Sequence, residues 1–288
     1  LGTCQSGDQP IVSSYTPHFG EEPVLSGTKG AGNIFFGNCN LRCDYCQNFV
    51  ISQNPNAESK NQISVQRLAE IMIELQNKSC HNIGLVSPTH FAVPILKAIY
   101  LAVKQGLNLP IIYNTNGYDS VEVLKLYKDV VDIYLPDFKY GTDENGRRYS
   151  KAPDYFEKTK TAIAEMYNQV GSELIYKDGV AVRGLIIRHL VLPNGLAESE
   201  KVFKFISSLD SKIHVSLMSQ YFPVNRASKN ILLSRSISQT EYYRAVELLN
   251  KYGLENGWMQ EIESNDFYRP FFDEDRIDPF KNEILIKQ

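Results

Sequence analysis

The 288-residue chain lacks any long apolar run. Its nearest approaches, Gly184–Ile187 and Leu190–Leu192, are separated by Arg188 and His189. They fall far short of the ~18 consecutive apolar residues that a membrane-spanning helix needs. Positive charge is not in surplus either. Against 33 Asp and Glu stand 30 Lys and Arg, a net charge of −3, so neither nucleic acid nor an anionic membrane is the expected partner. There is no internal repeat and no low-complexity segment. The chain opens Leu1-Gly2-Thr3-Cys4, without an initiator Met or a signal-peptide pattern. It reads as a cut form of a soluble protein, with residues 1–29 as a truncated N-terminal appendage. With 43% apolar and 22% charged residues, disordered and collagenous classes are excluded.

Cysteine is scarce, and its distribution is uneven. Five cysteines, an odd number in a chain of this size, argue against a disulfide framework. Cys39, Cys43 and Cys46 fall together in Gly37-Asn38-Cys39-Asn40-Leu41-Arg42-Cys43-Asp44-Tyr45-Cys46-Gln47-Asn48, while Cys4 and Cys80 stand apart. Clustered thiols in a reducing compartment usually bind metal, so the expected location is cytoplasmic. Three thiolates at Cys-x3-Cys-x2-Cys suit an iron–sulfur cube with one iron left without a protein ligand. Two rival readings exist. The same spacing is one face of a helix carrying buried structural thiols, although Gly37, Asn38, Asn40 and Asn48 favour a loop. A zinc-binding, non-catalytic interaction module would need a fourth ligand, such as Cys4, Cys80 or a His.

Around this motif the chain alternates strand and helix patterns. Apolar, β-branched or aromatic runs predict strands at Asn33–Phe36, Ile83–Val86, Pro110–Tyr113, Val131–Leu135, Gly184–Leu192 and Ile213–Leu217. Three-to-four spacing predicts helices at Ile63–Asn77, with Ser64 as cap, at Phe91–Lys104, Ser120–Tyr127, Pro153–Val170, Ala197–Leu209 and Gln239–Tyr252. Pro153 is expected in a first helical turn, and Tyr140–Ser150 as a polar loop. Six such units predict an α/β fold: an incomplete (β/α)6 TIM-like barrel over residues 30–256, with an N-terminal appendage and a C-terminal extension over 257–288.

In a parallel barrel, chemistry gathers at the C-terminal ends of the strands. Those ends carry the three cysteines, then Ser87-Pro88-Thr89-His90, Asn114-Thr115-Asn116-Gly117, Pro136-Asp137-Phe138-Lys139, Arg188-His189 and Ser219-Gln220-Tyr221. Polar groups far apart in sequence are thus expected to converge on one rim.

At these residues the sequence resembles a family. Cys39-Asn40-Leu41-Arg42-Cys43-Asp44-Tyr45-Cys46, with the aromatic Tyr45 before the last cysteine, resembles the signature of radical S-adenosylmethionine (SAM) enzymes. Gly30-Ala31-Gly32-Asn33-Ile34-Phe35-Phe36, Tyr134–Tyr140 and Arg188–Pro193 resemble the branch related to pyruvate formate-lyase activating enzyme. The resemblance, covering roughly residues 17–221, implies a [4Fe–4S] cluster on Cys39, Cys43 and Cys46. It implies that SAM binds the open iron and is reductively cleaved to a 5′-deoxyadenosyl radical that takes hydrogen from a substrate, with flavodoxin or ferredoxin supplying the electron. It also implies that the substrate is a glycine of a partner glycyl radical enzyme, with a small molecule or another polypeptide as the alternative.

Around SAM, the strand-end positions taken together with the resemblance point to Tyr45, Ser87, Thr89, Asn114, Thr115, Asn116, Asp137, Lys139, Arg188 and Gln220. Lys139 would pair with the SAM carboxylate. Arg188, a charge in an apolar strand, needs a partner, which is either that carboxylate or a protein acid such as Asp137. His189 should face the opposite way and pack against a helix, His90 can reach the rim, and Trp258 is read as packing. Ser87–His90 stands where many members have a Gly-Gly-Glu stretch that binds the SAM amino group, so the hydroxyls of Ser87 and Thr89 are the expected substitutes. Cys4 is the possible last member of a further upstream cysteine set.

Overall fold

Parallel strands cannot be joined by tight turns, and the amphipathic helices of this chain supply the crossovers. In the structure, a computed structural model that describes residues 2–262 and 270–280, nine strands form one sheet. They are β1 (Val12–His18), β2 (Ala31–Phe36), β3 (Ile83–Val86), β4 (Ile111–Thr115), β5 (Ile133–Pro136), β6 (Ile175–Lys177), β7 (Val180–Leu190), β8 (His214–Met218) and β9 (Gly257–Met259). The order is β1-β2-β3-β4-β5-β7-β8-β9, with β6 pairing antiparallel to β7. From β2 to β9 along this path every pairing is parallel, and β1 is antiparallel to β2. Among the described residues β1 and β9 do not pair, so this is an open partial barrel of the expected α/β class. All six expected strands are present. Three strands that the alternation did not predict also join the sheet: β1 at one edge, β9 at the other, and β6, which pairs with β7.

The helices begin where capping chemistry says they should. Ser64 accepts the Arg67 N–H at 3.0 Å and starts helix Val65–Asn77, which buries Leu68, Ile71, Met72 and Leu75. Ser238 and Glu241 form a reciprocal capping box on helix Gln239–Lys251. Two segments differ from expectation. Asp143–Ser150 is a helix rather than a polar loop, because Thr142 caps it, acids fill its first turn and arginines its last. Pro153 precedes helix Tyr155–Val170 instead of entering it, because Asp154 takes a left-handed conformation that ends the preceding turn.

Alternation along the strands sets up the interior. Ile112, Ile133, Leu135 and Ile186 form an inner apolar layer with Leu25, which a single helical turn, Pro23–Ser26, delivers to it. One pleat further along, the same face of the strands carries Asn114, Asp137 and Arg188. The barrel is therefore plugged at its base and polar above.

Two ties hold the flanking segments to this rim. Arg188 donates to Glu22 through Nε at 2.8 Å and Nη2 at 2.6 Å, and to Glu21, which also accepts from Asn33 Nδ2 at 2.6 Å. On the other side, Arg276 donates to Glu58 at 2.8 and 3.2 Å, and Glu58 is fully buried and accepts from Ser13 at 2.5 Å. Phe272 and Phe280, on the same C-terminal segment, lie 5.4 and 5.5 Å from the Phe35 ring, and Phe280 lies 4.2 Å from His18.

Burial opposes the charge of Glu21, but Arg188 and His18 hold its carboxyl well below 4.5. A depressed carboxyl pKa adds stability that is fully present above the unfolded value and is lost as pH falls through the folded one. Glu21→Gln is therefore expected to lower the urea midpoint at pH ~7. Its deficit against the unaltered protein should shrink as pH drops from ~5 toward ~3. A deficit that does not change with pH would remove the ion pair from the account.

Candidate functional site

β2 ends at Phe36, and the next twelve residues hold the cysteines without regular structure apart from turns. Backbone groups in such a loop need partners. The Asn38 N–H donates to Ile51 O at 2.7 Å, Arg42 N–H to Ser150 O at 2.9 Å and Asp44 N–H to Tyr149 O at 2.8 Å, while Asp44 O accepts from Ala227 N–H at 2.9 Å. Arg42 Nη1 turns back onto the carbonyls of Cys39 and Leu41 at 2.6 and 2.8 Å. The neutral ring of His90, its pKa lowered by burial to about 4, donates from Nε2 to Gly37 O at 2.9 Å. His90 thus anchors the root of the loop rather than lining the cavity. A loop braced in this way is not a helical face, so the buried-structural-thiol reading does not hold.

All three thiols line a cavity of about 650 Å³ at the C-terminal rim of the sheet, a size suited to small-molecule sites. Each sulfur has a polar neighbour. Ser150 Oγ donates to Cys43 Sγ at 2.9 Å, Cys46 Sγ is 3.2 Å from Ser52 Oγ, and Cys39 Sγ accepts from Leu41 N–H at 3.4 Å and Asn116 Nδ2 at 3.5 Å. Burial, reinforced by the nearby Cys46, pushes the Cys39 thiol up to about 11, and burial raises Cys43 further. Metal binding must therefore displace protons here, as thiolate ligation requires. Cys80 is buried beside Gly32 of β2, and neither it nor Cys4 lines the cavity. Among the described residues no three His, Cys, Asp or Glu side chains are gathered round one point as a single ion needs. Three thiols set along one wall, with donors to their sulfurs and no fourth thiol, fit a multi-iron cluster with one open corner.

Nine of the ten other expected residues line the same cavity: Tyr45, Ser87, Asn114, Thr115, Asn116, Asp137, Lys139, Arg188 and Gln220. Thr89 does not. Its hydroxyl is spent on Asp119 at 2.7 Å, beneath the rim, where Asp119 also accepts from Thr115 at 2.6 Å and from Tyr113. Burial raises the Asp119 pKa against these three bonds. Lys139 Nζ meets Asp137 Oδ2 at 2.5 Å. Burial works against the lysine charge, but the Asp137 carboxylate beside it outweighs burial and raises the Lys139 pKa. Ser87, just after β3, has φ +59°, a left-handed conformation that costs a non-glycine residue ~1–3 kcal/mol. Arg188 is already held by Glu21 and Glu22, so of the alternatives left by the sequence it takes protein acids, though not Asp137. His189 faces away as expected. It is neutral, with a pKa lowered by burial to about 4, and lies between Phe138 O at 2.6 Å and Ser199 Oγ at 2.8 Å. Trp258 stacks on His214 and also borders the cavity.

Sequence reasoning missed three contributors. Glu21 and Glu22 had a signal, since the unpaired charge of Arg188 demanded an acid. Tyr155 had none. Its fully buried hydroxyl accepts the Lys139 N–H at 3.0 Å and donates to the carbonyls of Asn116 and Asp137, at 2.9 and 3.1 Å, binding the ends of β4 and β5 together. Gly117 completes this junction. Its φ is +81°, and a Cβ there would overlap the Asp137 carbonyl oxygen.

Comparison with known proteins agrees with this geometry. A structure of methylornithine synthase superposes with a TM-score of 0.54 at 13% identity, over 90% of this chain and 82% of that one. The FeFe-hydrogenase maturase HydG from Carboxydothermus hydrogenoformans gives 0.52 at 14% identity, over 77% of this chain and 50% of that one. These likenesses concern the fold alone. An uncharacterized protein of Methanocaldococcus jannaschii is 36% identical over 246 residues, which is 83% of this chain and 66% of the relative, so the chain spans just under two thirds of that protein's length. The pattern that describes the Radical SAM superfamily, whose members use a [4Fe–4S] cluster and SAM, matches residues 33–185. With that match over more than half of its length, the chain belongs to the Radical SAM superfamily.

Proposed function

We propose that Cys39, Cys43 and Cys46 hold a [4Fe–4S] cluster, and that the adjoining cavity receives SAM and the hydrogen donor. The carrying observation is that all three thiols share one cavity wall with the Lys139–Asp137 pair and the Asn114–Asn116 turn. When bound, the cluster and SAM supply a one-electron reductive cleavage that yields methionine and a 5′-deoxyadenosyl radical able to abstract hydrogen. The protein's own groups do the rest. Lys139, charged and already paired, is set to receive the SAM carboxylate as a charge-assisted contact. Asn114 and Asn116 offer amide donors and acceptors suited to a ribose or an amino acid head. Tyr45, wedged edge-on against Tyr221 and near Tyr140, and the apolar layer below exclude water from a reactive centre. The free thiols and the cluster they would carry suit a reducing, cytoplasmic setting.

For the substrate, we propose the activating-enzyme role, with hydrogen taken from a glycine of a partner glycyl radical enzyme. Its support is the resemblance of the Gly30–Phe36, Tyr134–Tyr140 and Arg188–Pro193 stretches, all of which adjoin the cavity. One observation favours the second reading, a small-molecule substrate. Pro270 and Phe280 line the cavity, so the C-terminal segment narrows the access that a partner loop would need.

Cys43→Ala is expected to abolish cluster assembly and 5′-deoxyadenosine formation after anaerobic reconstitution. Retained turnover would refute its role as ligand. Lys139→Ala should weaken SAM binding ~10- to 100-fold, the range for losing a charge-assisted hydrogen bond, with iron content near normal. An unchanged SAM affinity would remove Lys139 from that role. With dithionite and SAM, mixing with a cognate glycyl radical enzyme should give a glycine-centred EPR doublet. Failure with the glycyl radical enzymes encoded beside it would move the assignment to a small substrate.

A further inference from the structure

The three sulfurs are not served alike. Cys39 Sγ has two N–H donors, at 3.4 and 3.5 Å, and the half-buried Cys46 has Ser52 Oγ at 3.2 Å. Cys43 Sγ has the hydroxyl of Ser150 at 2.9 Å, and Ser150 is fully buried. A serine in the last turn of a helix can return its hydroxyl to a carbonyl one turn back. Ser150 sends it to sulfur instead, and its position is fixed by the backbone. The N–H groups on either side of Cys43 are bonded to the same helix end, Arg42 N–H to Ser150 O at 2.9 Å and Asp44 N–H to Tyr149 O at 2.8 Å. Lys151, with φ +55°, closes that helix end by donating its N–H to Gly146 O. Donor and sulfur are therefore held in one clamp.

Behind Ser150 stands Tyr140, also fully buried, with its hydroxyl 2.7 Å from Ser150 Oγ. A serine hydroxyl has one proton to give. With that proton on Cys43, Tyr140 is the donor to Ser150. Burial and the nearby Cys43 push the Tyr140 phenol well above its usual range, so it keeps the proton it donates. Its ring is packed edge-on against Tyr155 at 5.3 Å and lies 6.3 Å from Tyr45 and 6.5 Å from Tyr149. The result is a directed chain, Tyr140 to Ser150 to Cys43, in which each bond polarises the next. Neither residue lines the cavity. We propose that this chain of two hydroxyls sets the reduction potential of the cluster from behind Cys43, favouring the reduced form, an inference that rests on the cluster assignment above. In the step it serves, a one-electron reductant loses an electron and the cluster gains it, and with it one negative charge. No bond to the protein changes, and both hydroxyl protons stay on their oxygens. Hydrogen bonds to cluster sulfurs are among a protein's levers on potential. A bond to sulfur strengthens as the sulfur becomes more negative, and in a buried site no water replaces it when it is removed. Ser150 and Tyr140 act through Cys43 and are positioning residues.

The test uses the anaerobically reconstituted full chain without SAM. Dithionite is added through redox mediators while EPR follows the reduced cluster, and iron content is measured in parallel. Ser150→Ala should make reduction ~10-fold less favourable in the one-electron equilibrium, the worth of one hydrogen bond, which is a midpoint lower by ~59 mV. Tyr140→Phe, which keeps the serine, should shift the midpoint the same way by ~2-fold. The double variant should match Ser150→Ala, because Tyr140 acts only through Ser150. Iron content should stay near that of the unaltered protein. An unchanged or raised midpoint in Ser150→Ala, with iron retained, would overturn the proposal. So would a Tyr140→Phe shift that persists in full on the Ser150→Ala background, which would make the phenol act on the cluster directly. If Ser150→Ala takes up too little iron to titrate, Tyr140→Phe decides, and the absence of a downward shift there would overturn the proposal. Failure of the unaltered protein to take up an iron–sulfur chromophore would instead fail the cluster assignment itself.

Discussion

Everything at the rim depends on how an irregular loop satisfies its own backbone. Between β2 and the helical turn at Phe49–Ser52, residues 37–48 have no ladder to bond to, and their polar groups are partly or wholly removed from water. Their partners come from remote parts of the chain: His90 after β3, Tyr149 and Ser150 after β5, Asn225 and Ala227 after β8, and Gln53 just downstream. The sulfur positions are therefore set by the sheet as a whole. The loop's hydrogen bonds are mostly long-range, and the segments after β3, β5 and β8 all contribute to holding it.

This explains which features could be read from the sequence. Strands and helices were legible because their signals are local: alternation, three-to-four spacing, and caps such as Ser64 and Ser238. The metal-type motif was legible because thiol spacing is local too. Convergence of Asn114, Asp137, Lys139 and Gln220 followed from a topological rule, that parallel strands end on one side. The failures have physical causes. Helix Asp143–Ser150 was missed because Gly146 and a weak apolar period masked caps and charges that were all present. Thr89 was assigned outward although a buried carboxylate, Asp119, claims its hydroxyl, a demand visible only in three dimensions. Tyr155 was invisible because one tyrosine among 17 carries no mark of the two loops it joins.

The layering inside the barrel accounts for the chemistry the site can support. Ile112, Leu135 and Ile186 lie one pleat below Asn114, Asp137 and Arg188, so an anhydrous floor comes directly beneath a polar tier. Charges in that tier are not bare. Lys139 has Asp137, and Arg188 has two carboxylates, which limits the desolvation cost that an isolated ion would impose. The cavity thus combines low polarity below with fixed charges above. Such surroundings favour a reactive carbon species over its quenching by solvent.

The Arg276–Glu58 pair joins two places that seem unrelated. The carboxylate of Glu58 lies beneath Gly37, the first residue of the cysteine loop, and close to Ser13 of β1. Arg276 belongs to the stretch whose Phe280 borders the cavity. Stripping the guanidinium from so deeply buried an anion carries a penalty of ~3–5 kcal/mol. The aromatic flap and the foundation of the thiol-bearing loop therefore share one fastener. Loss of that one guanidinium would loosen the aromatic border of the cavity and the footing of the loop together.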